Sequence, residues 1–164
     1  MKKLLLISII NIQQCFGMSA DLKIALDKVT LPTSNVLSLN SLRSIFKKER
    51  SNLTPQQILD YMIHKDGLIV VKFSAAWCRP CRNFAPIVAA VAAEHQSVQV
   101  GEKKVAVFYI DVDIDEHKNL LGHYNISSIP TVLFYCKGKM LTRENSLTKN
   151  QLINTIKHLA TKCN

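Results

Sequence analysis

A chain of 164 residues and 18.5 kDa, 48% hydrophobic and 20% charged, has enough apolar mass for one buried core and too little for two. The formal charge of +9 is spread along the sequence, and its densest group is only Lys47, Lys48 and Arg50, so it reads as solvated helix surface and argues against a nucleic-acid interface. The apolar run Leu4 to Ile12 is about half of the ~20 residues that a membrane-spanning helix needs, which argues against stable membrane insertion.

The first twenty residues combine Lys2 and Lys3, that apolar run, and the small residues Gly17, Ser19 and Ala20, with no acid. This is the layout of a cleaved secretory signal peptide, and it predicts a protein exported to the periplasm or secreted; the alternative is a cytoplasmic protein with an apolar start. Removing residues 1–20 takes away two Lys, lowering the charge from +9 to +7, and leaves Cys78, Cys81, Cys136 and Cys163. The predicted organisation is therefore signal peptide 1–20, irregular lead-in 21–35 interrupted by Pro32, and one domain over 36–162.

Val36 to Leu39 reads as a short edge strand and Asn40 to Arg50 as a helix with Leu42, Ile45 and Phe46 on one face. Thr54-Pro55 starts a second helix whose stripe of Ile58, Leu59, Met62 and Ile63 stops at Gly67. Leu68 to Phe73 is apolar except for Lys72, as in a strand covered on both faces. A helix over Arg79 to His95, a buried strand over Val105 to Ile110 and a short helix over Asp115 to His123 follow. Thr131–Cys136 and Met140–Arg143 flank the tight turn Lys137-Gly138, and Thr148 to Thr161 closes the chain as an amphipathic helix. Alternating strands and helices ending in a hairpin imply an α/β fold, a central mixed β-sheet with helices on both faces.

The chemistry concentrates at Trp77-Cys78-Arg79-Pro80-Cys81, where a buried strand hands over to a helix. Two cysteines at this spacing reach each other, and the first sulfur meets the unpaired N–H groups and positive dipole end of the helix, which favour its thiolate. Arg79 adds positive charge and Pro80 stiffens the turn. Cys78 is accordingly the candidate nucleophile and Cys81 the resolving thiol. Zinc would need two more ligands, but the other cysteines are far away and His95, His117 and His123 are dispersed; haem attachment would need His where Arg82 stands. No metal and no cofactor beyond the Cys78–Cys81 pair is expected.

The run Val70-Val71-Lys72-Phe73-Ser74-Ala75-Ala76-Trp77-Cys78-Arg79-Pro80-Cys81, continuing to Pro86, resembles the active-site strand and helix of the thioredoxin family, and Tyr124 to Thr131 resembles the family's cis-proline loop. The resemblance covers about residues 36 to 161. It implies the thioredoxin fold and a cis peptide at Pro130, with Ile129 offering backbone hydrogen bonds to a client segment and Trp77, Arg79 and Pro80 completing the docking surface. Three features depart from the family pattern: Arg79 in place of Gly, Asn145-Ser146 where a glycine is usual, and Pro55 to Lys65, read as an insertion or an enlarged first helix region.

Lys72 is a fourth departure, because the family usually places a buried Asp there, and Asp111 stands at the end of the neighbouring predicted strand, where many members carry Lys. The expectation is an exchanged Lys72–Asp111 pair acting as a proton relay for Cys81; the alternative is a Lys72 that stretches to solvent. Cys136 and Cys163 are expected to be free and dispensable. The functional expectation is a monomeric thiol:disulfide oxidoreductase. Its partners are client proteins bearing disulfides or thiols and an electron donor or acceptor protein. It acts as a reductase or exchange catalyst, with a disulfide-forming oxidase or isomerase and a non-catalytic binding module as alternatives.

Overall fold

A computed structural model describes residues 27, 31, 36–48 and 52–163. The predicted signal peptide and nearly all of the predicted lead-in lie outside the described residues. In chain order the elements are β1 (Leu37–Ser38), α1 (Leu39–Lys48), α2 (Pro55–Ile63), β2 (Leu68–Ser74), α3 (Arg79–Glu94), β3 (Ser97–Val100), β4 (Lys103–Asp113), α4 (Asn119–His123), β5 (Thr131–Cys136), β6 (Lys139–Glu144) and α5 (Lys149–Ala160), with a single 3-10 turn over Thr161–Cys163.

The strands form one mixed sheet in the order β1-β4-β2-β5-β6, with β3 paired to the early part of β4. β2 runs parallel to β4 and antiparallel to β5, so it has neighbours on both sides. All seven of its residues are buried, which explains the nearly continuous apolar run.

Side-chain alternation divides the core between two faces. Ile69, Val71 and Phe73 join Ile110, Val112 and Leu133 beneath α1, α2 and α4, contacting Leu42, Phe46, Ile58, Leu59, Met62 and Leu120. Leu68 and Val70 join Val107, Tyr109, Val132 and Phe134 beneath α3 and α5, contacting Phe84, Val88, Val91, Leu152 and Ile156. The Tyr109 hydroxyl donates to the His95 carbonyl at 2.8 Å, and burial raises its pKa well above the ordinary phenol value.

Local chemistry fixes the element ends. Thr54 accepts the Gln57 N–H while Gln57 reaches back to the Thr54 N–H, a reciprocal capping box that Pro55 reinforces; Thr148 and Gln151 repeat it for α5. Lys137 and Gly138 both have positive φ, as a two-residue hairpin turn demands. Gly67 sits at φ +122°, and a Cβ there would lie 2.6 Å from the Ala106 carbonyl oxygen, so only glycine fits between α2 and β2.

Three expectations change. β3 is an additional, half-buried strand, too short at Ser97–Val100 to stand out from the loop around it. Helix forms over Asn119–His123 only, because the start of the predicted Asp115–His123 helix is taken by a turn in which Asp113 accepts the Asp115 N–H at 2.9 Å. The cysteines expected to be free, Cys136 and Cys163, are joined as a second disulfide with Cα atoms 5.7 Å apart. The two cysteines are 27 residues apart in sequence, but α5 packs back along the sheet and the turn after it ends beside the last residue of β5.

Candidate active site

The site lies just beyond the C-terminal end of β2, the central strand, where the chain turns into α3. Cys78 is the N-cap of that helix, in extended conformation, and Arg79 and Pro80 form its first turn. Cys78 and Cys81 are disulfide-bonded, their Cα atoms 5.2 Å apart, and the Cys81 N–H also points at Cys78 Sγ at 3.2 Å. A backbone donor and the positive end of a sixteen-residue helix therefore converge on the first sulfur, the arrangement that stabilises a thiolate there after reduction.

Both cysteines are nearly buried, 5% exposed for Cys78 and 2% for Cys81, in a small apolar cluster with Ala75, Ile114 and Ile129. The surface around them is open: Arg79 and Pro80 are exposed and Trp77 is 64% exposed. The indole is held outward by its N–H, which donates to Asp115 Oδ2 at 2.9 Å. Arg82 turns back to donate to the Ala76 carbonyl at 3.0 Å, tying the first turn of α3 to the end of the strand loop.

The second loop closes the site from the β5 side. The Ile129–Pro130 peptide is cis, and the Ile129 carbonyl oxygen lies 3.8 Å from Cys78 Sγ. Thr131 anchors the loop by donating to the Ser128 carbonyl at 2.7 Å. The residues singled out in sequence, Trp77, Cys78, Arg79, Pro80, Cys81, Ile129 and Pro130, thus come together at one end of the sheet, from the loop after β2, the first turn of α3 and the loop before β5.

Lys72 and Asp111 are register partners on adjacent parallel strands, with Lys72 Nζ 3.2 Å from Asp111 Oδ2. The Lys72 side chain is 5% exposed and that of Asp111 34%. Both point to the face covered by α3, the face of Val70 and Tyr109. Ser74, two residues after Lys72 on the same face, donates to Asp111 Oδ1 at 2.8 Å. The carboxylate is therefore fixed through both oxygens.

Sequence reasoning missed Ser74, Arg82 and Asp115. Strand alternation from Lys72 carried the signal for Ser74. Arg82 acts from α3 on the loop before it, and Asp115 on Trp77 across two loops, through hydrogen bonds for which a single sequence holds no sign. Among the described residues, no group of three or more His, Cys, Asp or Glu side chains is placed to hold a metal ion.

The family model described as Thioredoxin matches residues 50–158. The chain belongs to the thioredoxin family. The matched range spans α2, and α1 lies before it. The chain is 38% identical over 96 residues to an H-type thioredoxin of Ricinus communis, covering 58% of this chain and 74% of the relative. It is 34% identical over 107 residues to a thioredoxin of Mycoplasmoides gallisepticum, covering 65% and 98%. Among solved structures, a mutant thioredoxin from Halobacterium salinarum superposes with a TM-score of 0.59 over 80% of this chain and 96% of its own at 18% identity, a likeness of fold. The thioredoxin of Fasciola hepatica gives a TM-score of 0.51 over 75% and 96% at 29% identity. Membership of this thioredoxin family, with the Cys78–Cys81 disulfide in place, makes the protein a thiol:disulfide oxidoreductase that acts on protein disulfides.

Proposed function

We propose that this thioredoxin-family protein reduces or exchanges disulfides of client proteins outside the cytoplasm, as a monomer, with Cys78 as nucleophile and Cys81 as resolving thiol. The observation that carries the reading is the placement of Cys78 Sγ between the N-terminus of α3 and the Ile129 carbonyl, beside an exposed Trp77. An extended client segment laid against the Ile129 backbone brings its disulfide to Cys78, as an added strand would.

In the reduced protein the Cys78 thiolate attacks one client sulfur, and the other leaves as a thiolate that takes up a proton. The Cys81 thiolate then attacks Cys78 Sγ, releasing the second client thiol and leaving the Cys78–Cys81 bond. Two electrons pass to the client, and an electron-donor protein restores the dithiol. Lys72 and Asp111, on the α3 face, form the acid–base pair that relays the proton of Cys81. The basic, acid-free start of the chain with its apolar run supports export.

A second reading, net formation of client disulfides, is favoured by one residue: the exposed cation of Arg79 beside Cys78 stabilises the reduced form and makes the disulfide a stronger oxidant. Equilibrating the Cys78–Cys81 pair against glutathione separates the two. A potential near about −270 mV supports the reductase and one near about −120 mV the oxidase. Loss of insulin reduction in Cys78→Ser excludes a binding module without redox activity.

A further inference from the structure

The second disulfide lies at the opposite end of the sheet from the first. Cys136 pairs in register with Leu68, the first residue of β2, whereas Cys78 follows its last residue, Ser74. Seven residues of strand put about 20 Å between the two ends, so Cys78 and Cys81 cannot exchange with Cys136 and Cys163 within one molecule. Cys15 lies outside the described residues; among the described residues no third thiol is left, so a thiol that reaches the second pair comes from solution. The way in is a cavity of about 420 Å³ that Cys163 lines, together with Lys103, Lys104, Lys137 and Asp66; Cys136, the last residue of β5, is buried and does not line it. Three exposed ammonium groups against one carboxylate give this mouth a positive potential. Cys163 is nearly buried, 7% exposed against 5% for Cys78, and what marks this site for a small anion is the charge at its mouth.

We propose that Cys136–Cys163 is a second redox site, exchanging at Cys163 with small anionic thiols that carry carboxylates. The incoming thiolate bonds to Cys163 Sγ and the Cys136–Cys163 bond breaks, its electron pair leaving with Cys136, which takes up a proton. A second thiolate attacks the adduct, forming the small-molecule disulfide and freeing Cys163. The small thiol loses two electrons and the protein pair gains them; the reverse steps, with the small disulfide as oxidant, close the bridge. The lysines hold the carboxylates and raise the local concentration of the anion.

The test uses the full chain carrying Cys78→Ser and Cys81→Ser, so that its outcome is independent of the first site. The protein is equilibrated in glutathione buffers of graded ratio, quenched by alkylation and mapped by mass spectrometry, with Cys15 followed separately. The expected result is a Cys136–Cys163 bridge that opens and closes reversibly with the ratio, with the intermediate glutathione adduct on Cys163. Adding Lys103→Gln and Lys137→Gln should slow opening by glutathione about five- to tenfold and change opening by neutral 2-mercaptoethanol less than about twofold. A bridge that never forms, one that glutathione cannot open, an adduct on Cys136, or equal slowing for both thiols would overturn the proposal.

Discussion

Lys72 and Asp111 sit directly opposite each other on the two central parallel strands, their charges 3.2 Å apart, with Ser74 holding the other carboxylate oxygen. The cation is buried and the anion reaches solvent, so the two partners do not depend on the pair equally. Removing Asp111 leaves a buried ammonium group unpaired, while removing Lys72 leaves a carboxylate that water and Ser74 still solvate.

Asp111→Asn should therefore destabilise the fold more than Lys72→Met, by about 2–4 against about 1–2 kcal/mol, and the double variant should recover part of the loss. Urea unfolding of the four proteins measures the coupling. If Lys72 takes part in resolution, Lys72→Met also slows the Cys81 step and alters its pH–rate profile; additive stabilities with an unchanged profile would remove the pair from the mechanism.

Cys81→Ala should accumulate mixed disulfides with clients, and Cys78→Ala should trap none, because only Cys78 lies beside both the helix N-terminus and the Ile129 carbonyl. Non-reducing electrophoresis after mixing with an oxidised client distinguishes them. Equal trapping by both would reverse or dissolve the assignment.

Trp77 touches solvent over most of its surface and is anchored by one hydrogen bond to Asp115. Trp77→Ala should change stability by less than about 0.5 kcal/mol yet lower kcat/KM for a protein disulfide several-fold, chiefly through KM. Retained kcat/KM would mean that the indole is not a docking wall.

Cys136 and Cys163 close a chain segment of sequence separation 27. In the chain-entropy view such a closure stabilises the oxidised fold by about 3–4 kcal/mol. Cys163→Ser should lower urea stability of the oxidised protein toward that of the reduced wild type, with no further fall on adding dithiothreitol beyond that due to the Cys78–Cys81 pair. Equal oxidised stabilities would return these cysteines to the dispensable status that the sequence suggested.

What was legible in the sequence followed from periodicity and punctuation. Thr54-Pro55 and its apolar stripe announced α2, Lys137-Gly138 the hairpin turn, and the spacing of Cys78 and Cys81 the redox pair. Even the Lys72–Asp111 contact could be anticipated, because a buried cation needs a partner and the thioredoxin family's Asp and Lys at these two positions stand exchanged here. The Cys136–Cys163 bridge could not, since it depends on where α5 comes to rest against the sheet. β3 and the Asp113–Asp115 turn were lost for a different reason: their local signals are weak, and their conformations are set by pairing with β4 and by one side-chain hydrogen bond.

His117 gives a last prediction, on acid stability. Its side chain is buried in the turn between β4 and α4, its Nε2 has no hydrogen-bond partner, and burial lowers its pKa below 6.5 against the opposing pull of Glu116 and Asp113; Arg43 adds to the lowering. A base whose folded pKa lies below its unfolded value binds fewer protons when folded. Stability is then complete above about pH 6.5 and falls as the pH drops from there toward the folded pKa, with a slope of at most about 1.4 kcal/mol per pH unit. Below the folded pKa this group adds no further slope. His117→Gln removes this titrating group and leaves the carboxylates of the turn in place, so the variant should lose less stability than the wild type between pH 7 and pH 5, whatever its stability at pH 7. Urea midpoints at three or four values across that window measure the difference, and parallel curves for the two proteins would show that His117 does not carry the acid sensitivity.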